Sequence, residues 1–156
     1  MTQSVNLAEK NWSDIKAASG SAWFVPGTIA KLTSEDPKHR HDARFTLDNE
    51  AVRQSDLYEA AAYCIGPLVQ VLHSKPKHGR TEIYSVLIEI ADGYAPPVVT
   101  VVTKCGEAIG LKTACIAQLR LARAVFERDL GDGQIGELAN ELLDAIKTDE
   151  QDQVSG

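Results

Sequence analysis

The chain has 156 residues, of which 44% are apolar and 24% charged, and its formal net charge at pH 7 is -6. These values are ordinary for one globular domain with a real core and exclude wholesale disorder. No apolar stretch approaches the roughly 20 residues of a membrane helix, and the first residues lack the pattern of a signal peptide. With an odd count of three cysteines, the chain is expected to be cytoplasmic, with no membrane partner.

The first half of the chain predicts one helix followed by three strands. Apolar residues recur at three- and four-residue steps over positions 5–15, which predicts an amphipathic helix that Gly20 ends. The Pro-Gly pair at 26–27 favours a turn, so the stretch SAWFVPGTIAKL is expected to form two strands around it. A polar loop over 33–43 then leads to a third short strand, RFTLD.

A second helix is predicted to follow, capped by Asp48 or Asn49. Its apolar stripe consists of Leu57, Ala61, Cys64, Leu68 and Val71. The Gly66-Pro67 pair interrupts the stripe, which predicts a kink or two consecutive helices, because an interior proline costs about 3 kcal/mol.

The second half predicts a hairpin and two further helices. The stretch TEIYSVLIEI alternates in polarity, with Tyr84, Val86, Ile88 and Ile90 on one face, so it predicts a strand paired with VVTVVTK at 98–104. A long helix over 111–130 ends at the GDG turn of 131–133. The last helix turns Ile135, Leu138, Leu142 and Ile146 inward.

The resulting order, α-βββ-α-ββ-αα, predicts a two-layer α+β fold. Hairpins and a meander favour an antiparallel sheet of about five strands with helices packed on one face. We expect a single domain over residues 1–148 and a flexible acidic tail over 149–156.

The stretch VVTVVTKCGEAIGLKT at 98–113 has the outline of a phosphate-binding loop. Gly106, Lys112 and Thr113 have the spacing of that motif, but Leu111 stands where the second glycine belongs. A side chain there would obstruct the approach to a phosphate, so a strand, a turn and a helix are predicted instead, with no cofactor. Cys105, beside this helix start, could act in an enzyme with His39 or His78, whereas Cys64 and Cys115 fall on apolar stripes and are expected in the core.

Two basic segments, PKHRHDAR at 37–44 and HSKPKHGR at 73–80, hold all four histidines and six of the sixteen Lys and Arg residues. If the strand directions hold, both lie at the same end of the sheet as Lys104 and the turn at Gly106. This end predicts a site for an anion or an acidic partner, with the acidic last helix at the opposite pole. The predicted site residues are Lys38, His39, Arg40, His41, Lys75, Lys77, His78, Arg80 and Lys104.

Several functions are compatible with this charge pattern. The hypothesis that we carry forward is a non-enzymatic interaction or regulatory protein, an adaptor, chaperone-like protein or inhibitor, that forms a homodimer and binds another protein. The element order and the acidity are similar to those of small acidic secretion chaperones, at the level of architecture alone. The alternatives are phosphate or nucleic-acid binding through the basic segments, a cysteine-dependent enzyme, and solvated loops without a ligand. A metal site formed by the four histidines is disfavoured by the surrounding cations, so no metal and no catalytic residue is predicted.

Overall fold

Helices dominate the protein, and the strands are short. The computed structural model describes residues 6–154, with side chains up to residue 147. Within that part the α-helices are α1 (Val25–Lys31), α2 (Pro37–Glu50), α3 (Glu59–His73), α4 (Arg80–Asp92), α5 (Leu111–Leu121), α6 (Arg123–Asp129) and α7 (Gly133–Val154). Three antiparallel two-stranded sheets pair β1 (Lys16–Ala17) with β2 (Gly20–Ser21), β3 (Val52–Arg53) with β4 (Asp56–Leu57), and β5 (Thr100–Val102) with β6 (Ala108–Gly110). The broad α+β class is therefore confirmed, whereas the single five-stranded sheet is wrong.

Helix α4 occupies the centre of the molecule and corrects the prediction of a strand at TEIYSVLIEI. It contacts α2, α3, α5 and α7, and its side chains are buried on almost every side. The alternation of apolar residues in this stretch, which suggested a strand, is therefore coincidental. The helical signal lay in the polar residues Thr81, Glu89 and Asp92, which are exposed and lie on one stripe of the helix.

Helices α1 and α2 replace the three strands predicted for the first half. Pro26 lies in the first turn of α1, where the missing N–H of a proline costs nothing. Asp36 accepts a hydrogen bond of 2.9 Å from the Lys38 backbone N–H and so caps α2, again with a proline in the first turn. Residues 37–43 of the predicted loop and the predicted strand RFTLD belong to α2, and Ala43 and Leu47 bury its inner face. The expected caps Asp48 and Asn49 are inside this helix as well.

Helix α3 confirms the apolar stripe and corrects its boundaries. Ala61, Cys64 and Leu68 are buried, but the helix begins at Glu59 and runs through Pro67 without a break. The long helix predicted over 111–130 is divided into α5 and α6, which meet at Ala122.

The N-terminal segment is extended rather than helical where the structure describes it. Leu7 forms an antiparallel bridge with Thr103, and Ala8 donates a backbone hydrogen bond of 2.8 Å to Val102. Only a short 3-10 helix, Trp12–Asp14, follows. The hairpin predicted for 98–104 is also wrong, since β5 pairs with β6 rather than with the segment that forms α4.

The predicted last helix is confirmed as α7. Leu142 and Ile146 are buried, and Ile135 and Leu138 are half-buried. The flexible tail predicted for 149–156 stays a prediction, because those side chains lie outside the described residues. Among the helices that the structure describes, none combines the length and the apolarity needed to cross a membrane.

Candidate functional site: a basic end beside the start of the last helix

The two basic segments lie side by side. Arg40 in α2 forms an ion pair with Glu82 in the first turn of α4, with 3.4 Å between Nε and Oε1. A contact between the backbones holds the same end together: a Cβ atom on Gly79 would lie 1.9 Å from the carbonyl oxygen of Leu32. Residues 38–41 and 73–80 therefore form one surface, which we call the basic end.

The packing of two helices brings these segments together, not a shared edge of a sheet. Arg40 lies near the start of α2 and faces Glu82 near the start of α4. Asp48 lies near the end of α2, and Glu89 lies near the end of α4. Burial raises the pKa of the Glu89 carboxyl, and the nearby charge of Asp48 raises it further. The two helices therefore run in the same direction, and both begin at the basic end.

Internal contacts occupy the arginines of this surface. Arg40 also donates hydrogen bonds of 2.7 Å and 3.1 Å to the carbonyl oxygens of Ser34 and Glu35. Arg80 binds Asp132 at 2.6 Å and lies 2.9 Å from Asp129, a close ion pair that is not aligned as a hydrogen bond. The Arg80 guanidinium lowers the pKa of Asp132 below its usual range through this hydrogen bond. These two arginines consequently hold the structure together and are not the charges that a partner would meet.

The lysines and histidines remain at the surface. Lys38, His39, His41, Lys75 and Lys77 are exposed, and His78 is half-buried. His39 lies 3.5 Å from Asp36, also exposed, and Glu35 and Asp42 carry further negative charge among the cations. The exposed surface thus combines cations with interspersed carboxylates.

A buried cluster of polar groups supports this end and was missed by sequence reasoning. Asp129, only 1% exposed, accepts a hydrogen bond of 2.6 Å from the Tyr84 hydroxyl and one of 3.1 Å from Arg128 Nε. Burial, together with the hydrogen bond to Asp129, raises the pKa of Tyr84. Arg128 in turn donates to the carbonyl oxygens of Leu72 and His73 at 2.8 Å and 3.2 Å, where α3 ends. The signal in the sequence was an acidic residue three positions after Phe126, a spacing that places both side chains on the same face of a helix.

The acidic last helix starts at the basic end rather than at the opposite pole. Asp132 precedes the first residue of α7, and it pairs with Arg80 at the start of α4. Lys75 also lies close enough to Asp132 to contribute to its lowered pKa. The predicted position of the acidic helix at the opposite pole is therefore wrong for the start of α7.

Lys104, which was predicted to lie beside the two basic segments, lies elsewhere. It lines the same open groove as Gly66, near the middle of α3, whereas the basic end begins at His73, about 10 Å further along that helix. The start of α5 is also distant, because Lys112 donates hydrogen bonds to the carbonyl oxygens of Ala91 and Gly93 at the far end of α4. Gly106, with φ 84°, lies in the turn between β5 and β6. Lys112 thus binds the C-terminal end of α4. The two basic segments lie together, but Lys104 and the start of α5 do not join them.

The cysteines divide as the sequence suggested. Cys64 and Cys115 are buried, which confirms the prediction of core positions, and burial raises the pKa of each thiol to about 12. Cys105 is exposed in the β5–β6 turn, next to Lys104 and therefore away from His39 and His78. Within residues 6–147, no group of three or more His, Cys, Asp or Glu side chains is arranged to hold a metal ion.

Two surface features had no counterpart in the sequence reasoning. An open groove of about 870 Å³ lies between the N-terminal segment and α3, with Trp12 and Tyr63 in edge-to-face contact along its wall. The approach to β5 exposes several large apolar side chains, namely Tyr94, Val98, Val99 and Val102.

Comparison with known proteins adds no relative: no protein-family model matches the chain, no curated protein is similar to it in sequence, and no solved structure matches its fold.

Proposed function

We propose that the protein is a non-enzymatic interaction protein, an adaptor, chaperone-like protein or inhibitor, and that it binds the acidic surface of another protein through the basic end. The observation that carries the proposal is the Arg40–Glu82 ion pair, because it joins the start of α2 to the start of α4 and so brings both basic segments into one surface. A cytoplasmic location and a homodimeric state belong to the same proposal.

A protein partner is favoured over a nucleic acid by the carboxylates within the surface. A nucleic-acid site neutralises a row of phosphates with Lys and Arg, but here Arg40 and Arg80 are engaged internally. Glu35, Asp36 and Asp42 would repel a phosphate backbone, on which every charge is negative, whereas an acidic protein surface can place cations opposite these three carboxylates. Protein interfaces, by contrast, combine complementary charges of both signs and gain specificity from them.

The proposal can be tested by titrating a fluorescein-labelled polyglutamate peptide, as a mimic of an acidic surface, against the protein at low and high salt. We expect binding that weakens as salt rises, since exposed charges are screened. Lys38→Glu should weaken it further, whereas Lys16→Glu, the same change in β1, should not. Labelled single- and double-stranded oligonucleotides tested in parallel distinguish the alternative. Absence of peptide binding at low salt, or tighter binding of an oligonucleotide, would overturn the proposal.

A further inference from the structure

The loop between α3 and α4 and the first half of α7 carry opposite charges and adjoin each other. Lys75 and Lys77 are exposed on the loop, and Glu137 and Glu141 are exposed on α7, within about three helical turns of Asp132. The Arg80–Asp132 hydrogen bond of 2.6 Å fixes the start of α7 beside this loop. A cationic and an anionic patch therefore border each other at the turn between α6 and α7.

An apolar side chain lies at that border. Leu130, 42% exposed, belongs to the turn and precedes Asp132 by two residues. The turn itself is tightly packed, because a Cβ atom on Gly136 would lie 2.1 Å from the Leu130 carbonyl oxygen. The turn that links α6 to the anionic first half of α7, beside the cationic loop, thus carries an exposed apolar side chain on a closely packed backbone.

We propose that this surface binds a second copy of the chain about a two-fold axis that passes near Leu130. In such a dimer the same patch is used by both copies, so residue i of one contacts residue j of the other and the reverse. The two-fold rotation places the lysines of each copy against the glutamates of its partner, so that both sets of charges are complementary. This inference rests on the proposed function, because it assigns the basic end a partner, and it implies that an acidic protein would compete with dimerisation.

Charge reversal on each side tests the pairing. One variant carries Lys75→Glu and Lys77→Glu, and the other carries Glu137→Lys and Glu141→Lys. Each variant presents two like-charged patches to its own copy, so we expect its dimer dissociation constant to rise at least about tenfold. An equal mixture of the two variants should form a heterodimer, because every contact across the two-fold axis then joins opposite charges. Lys16→Glu with Lys104→Glu is the matched control, since it makes the same change of charge on lysines outside the patch.

The measurement is the molar mass by sedimentation equilibrium from about 1 to about 100 µM chain, with circular dichroism to show that each variant folds. The wild type should be dimeric at low salt and dissociate as salt rises, a readout that needs no substitution. A monomeric wild type, dimerisation that is indifferent to salt, or folded variants that stay dimeric alone or fail to associate when mixed would each overturn the inference. Failure of the polyglutamate titration alone would remove the acidic partner and leave the dimer result unaffected.

Discussion

The hydroxyl group of Tyr84 donates a hydrogen bond of 2.6 Å to Asp129, and both side chains are almost completely closed off from solvent. The other oxygen of Asp129 lies 2.9 Å from Arg80 and 3.1 Å from Arg128. Through these contacts one carboxylate joins the start of α4, the end of α6 and, by way of Arg128, the end of α3. The basic end therefore depends on a buried charge whose contacts, direct or through Arg128, connect three helices.

Replacing Asp129 with alanine should strongly destabilise the fold. The change leaves Arg80 without its buried counter-charge and the Tyr84 hydroxyl without its acceptor, and removing one partner of a buried ion pair costs about 3–5 kcal/mol. The free energy of unfolding, measured by urea titration, gives the loss. Asp132→Ala is the control: it removes an exposed partner of the same arginine, so its effect should be much smaller. Equal losses in the two variants would show that burial of Asp129 contributes nothing.

Tyr84→Phe should remove a stabilisation that depends on pH. The hydrogen bond to a carboxylate is worth about 1.5–3 kcal/mol at neutral pH. Burial raises the pKa of Tyr84 above the ordinary value of 10, so the unfolded chain releases the phenolic proton first. Wild-type stability conferred by this group is complete below pH 10 and falls as the pH rises above it.

The measurement for Tyr84 is the difference in unfolding free energy between the wild type and Tyr84→Phe, taken from about pH 8 to about pH 11. The charged groups around the hydroxyl are Asp129, Arg80 and Arg128, and all three are present in both proteins. Titration of Tyr63 occurs in both proteins and cancels. The difference should shrink above about pH 10; a constant or growing difference would contradict the assignment.

Gly79→Ala should be among the most damaging substitutions of a small residue. Gly79 has φ 98°, a left-handed conformation, and an added Cβ would lie 1.9 Å from the Leu32 carbonyl oxygen. Backbone strain alone costs about 1–3 kcal/mol, and the clash would also push the loop away from the end of α1. Gly66→Ala, in the middle of α3 with no atom within 4 Å of the added Cβ, should instead stabilise by about 0.4–1 kcal/mol. Thermal unfolding of both variants checks the contrast, which an equal response would disprove.

The thiols should react at very different rates. Cys105 is exposed, whereas Cys64 and Cys115 are buried with pKa values raised to about 12, and the thiolate is the reactive form. A disulfide reagent such as dithiobis-nitrobenzoate should therefore modify one thiol per native chain quickly, and all three thiols in denaturant. Cys105→Ser should abolish the fast phase. Two or more fast thiols in the native protein would mean that the α3–α5 contact opens readily.

Sequence periodicity correctly identified the elements that have one buried face and one exposed face. Helix α7 has one buried and one exposed face, so Leu142 and Ile146 were correctly placed inside. Helix α4 is buried around most of its circumference, and a segment surrounded by the core carries no clear period in its apolar residues. Pro26 and the Asp36-Pro37 pair were helix-start signals. The glycine after Pro26 suggested a turn between two strands, and the polar residues around Asp36-Pro37 suggested a loop.

The sequence predicted most residues of the candidate site but not the packing that brings them together. Lys38 and Lys75 were assigned to one surface by counting strand crossings, yet parallel packing of α2 and α4 produces that surface. The same counting placed Lys104 there, and it lies beside α3 instead. Neither the buried cluster at Asp129 nor the proximity of α7 to the basic end could follow from local pattern, because both depend on contacts between residues more than forty positions apart.

By itself, the sequence determined that the chain mixes helices with strands, that its last helix turns one apolar stripe inward, and that Cys64 and Cys115 are buried. Composition and local periodicity record these features because apolar side chains must leave water. Only the tertiary structure decided that residues 81–90 form a helix and that Asp129 is buried. It also decided which charged side chains stay at the surface. Secondary structure, burial and charge pairing all depend on how many neighbours surround a segment and on partners from distant parts of the chain.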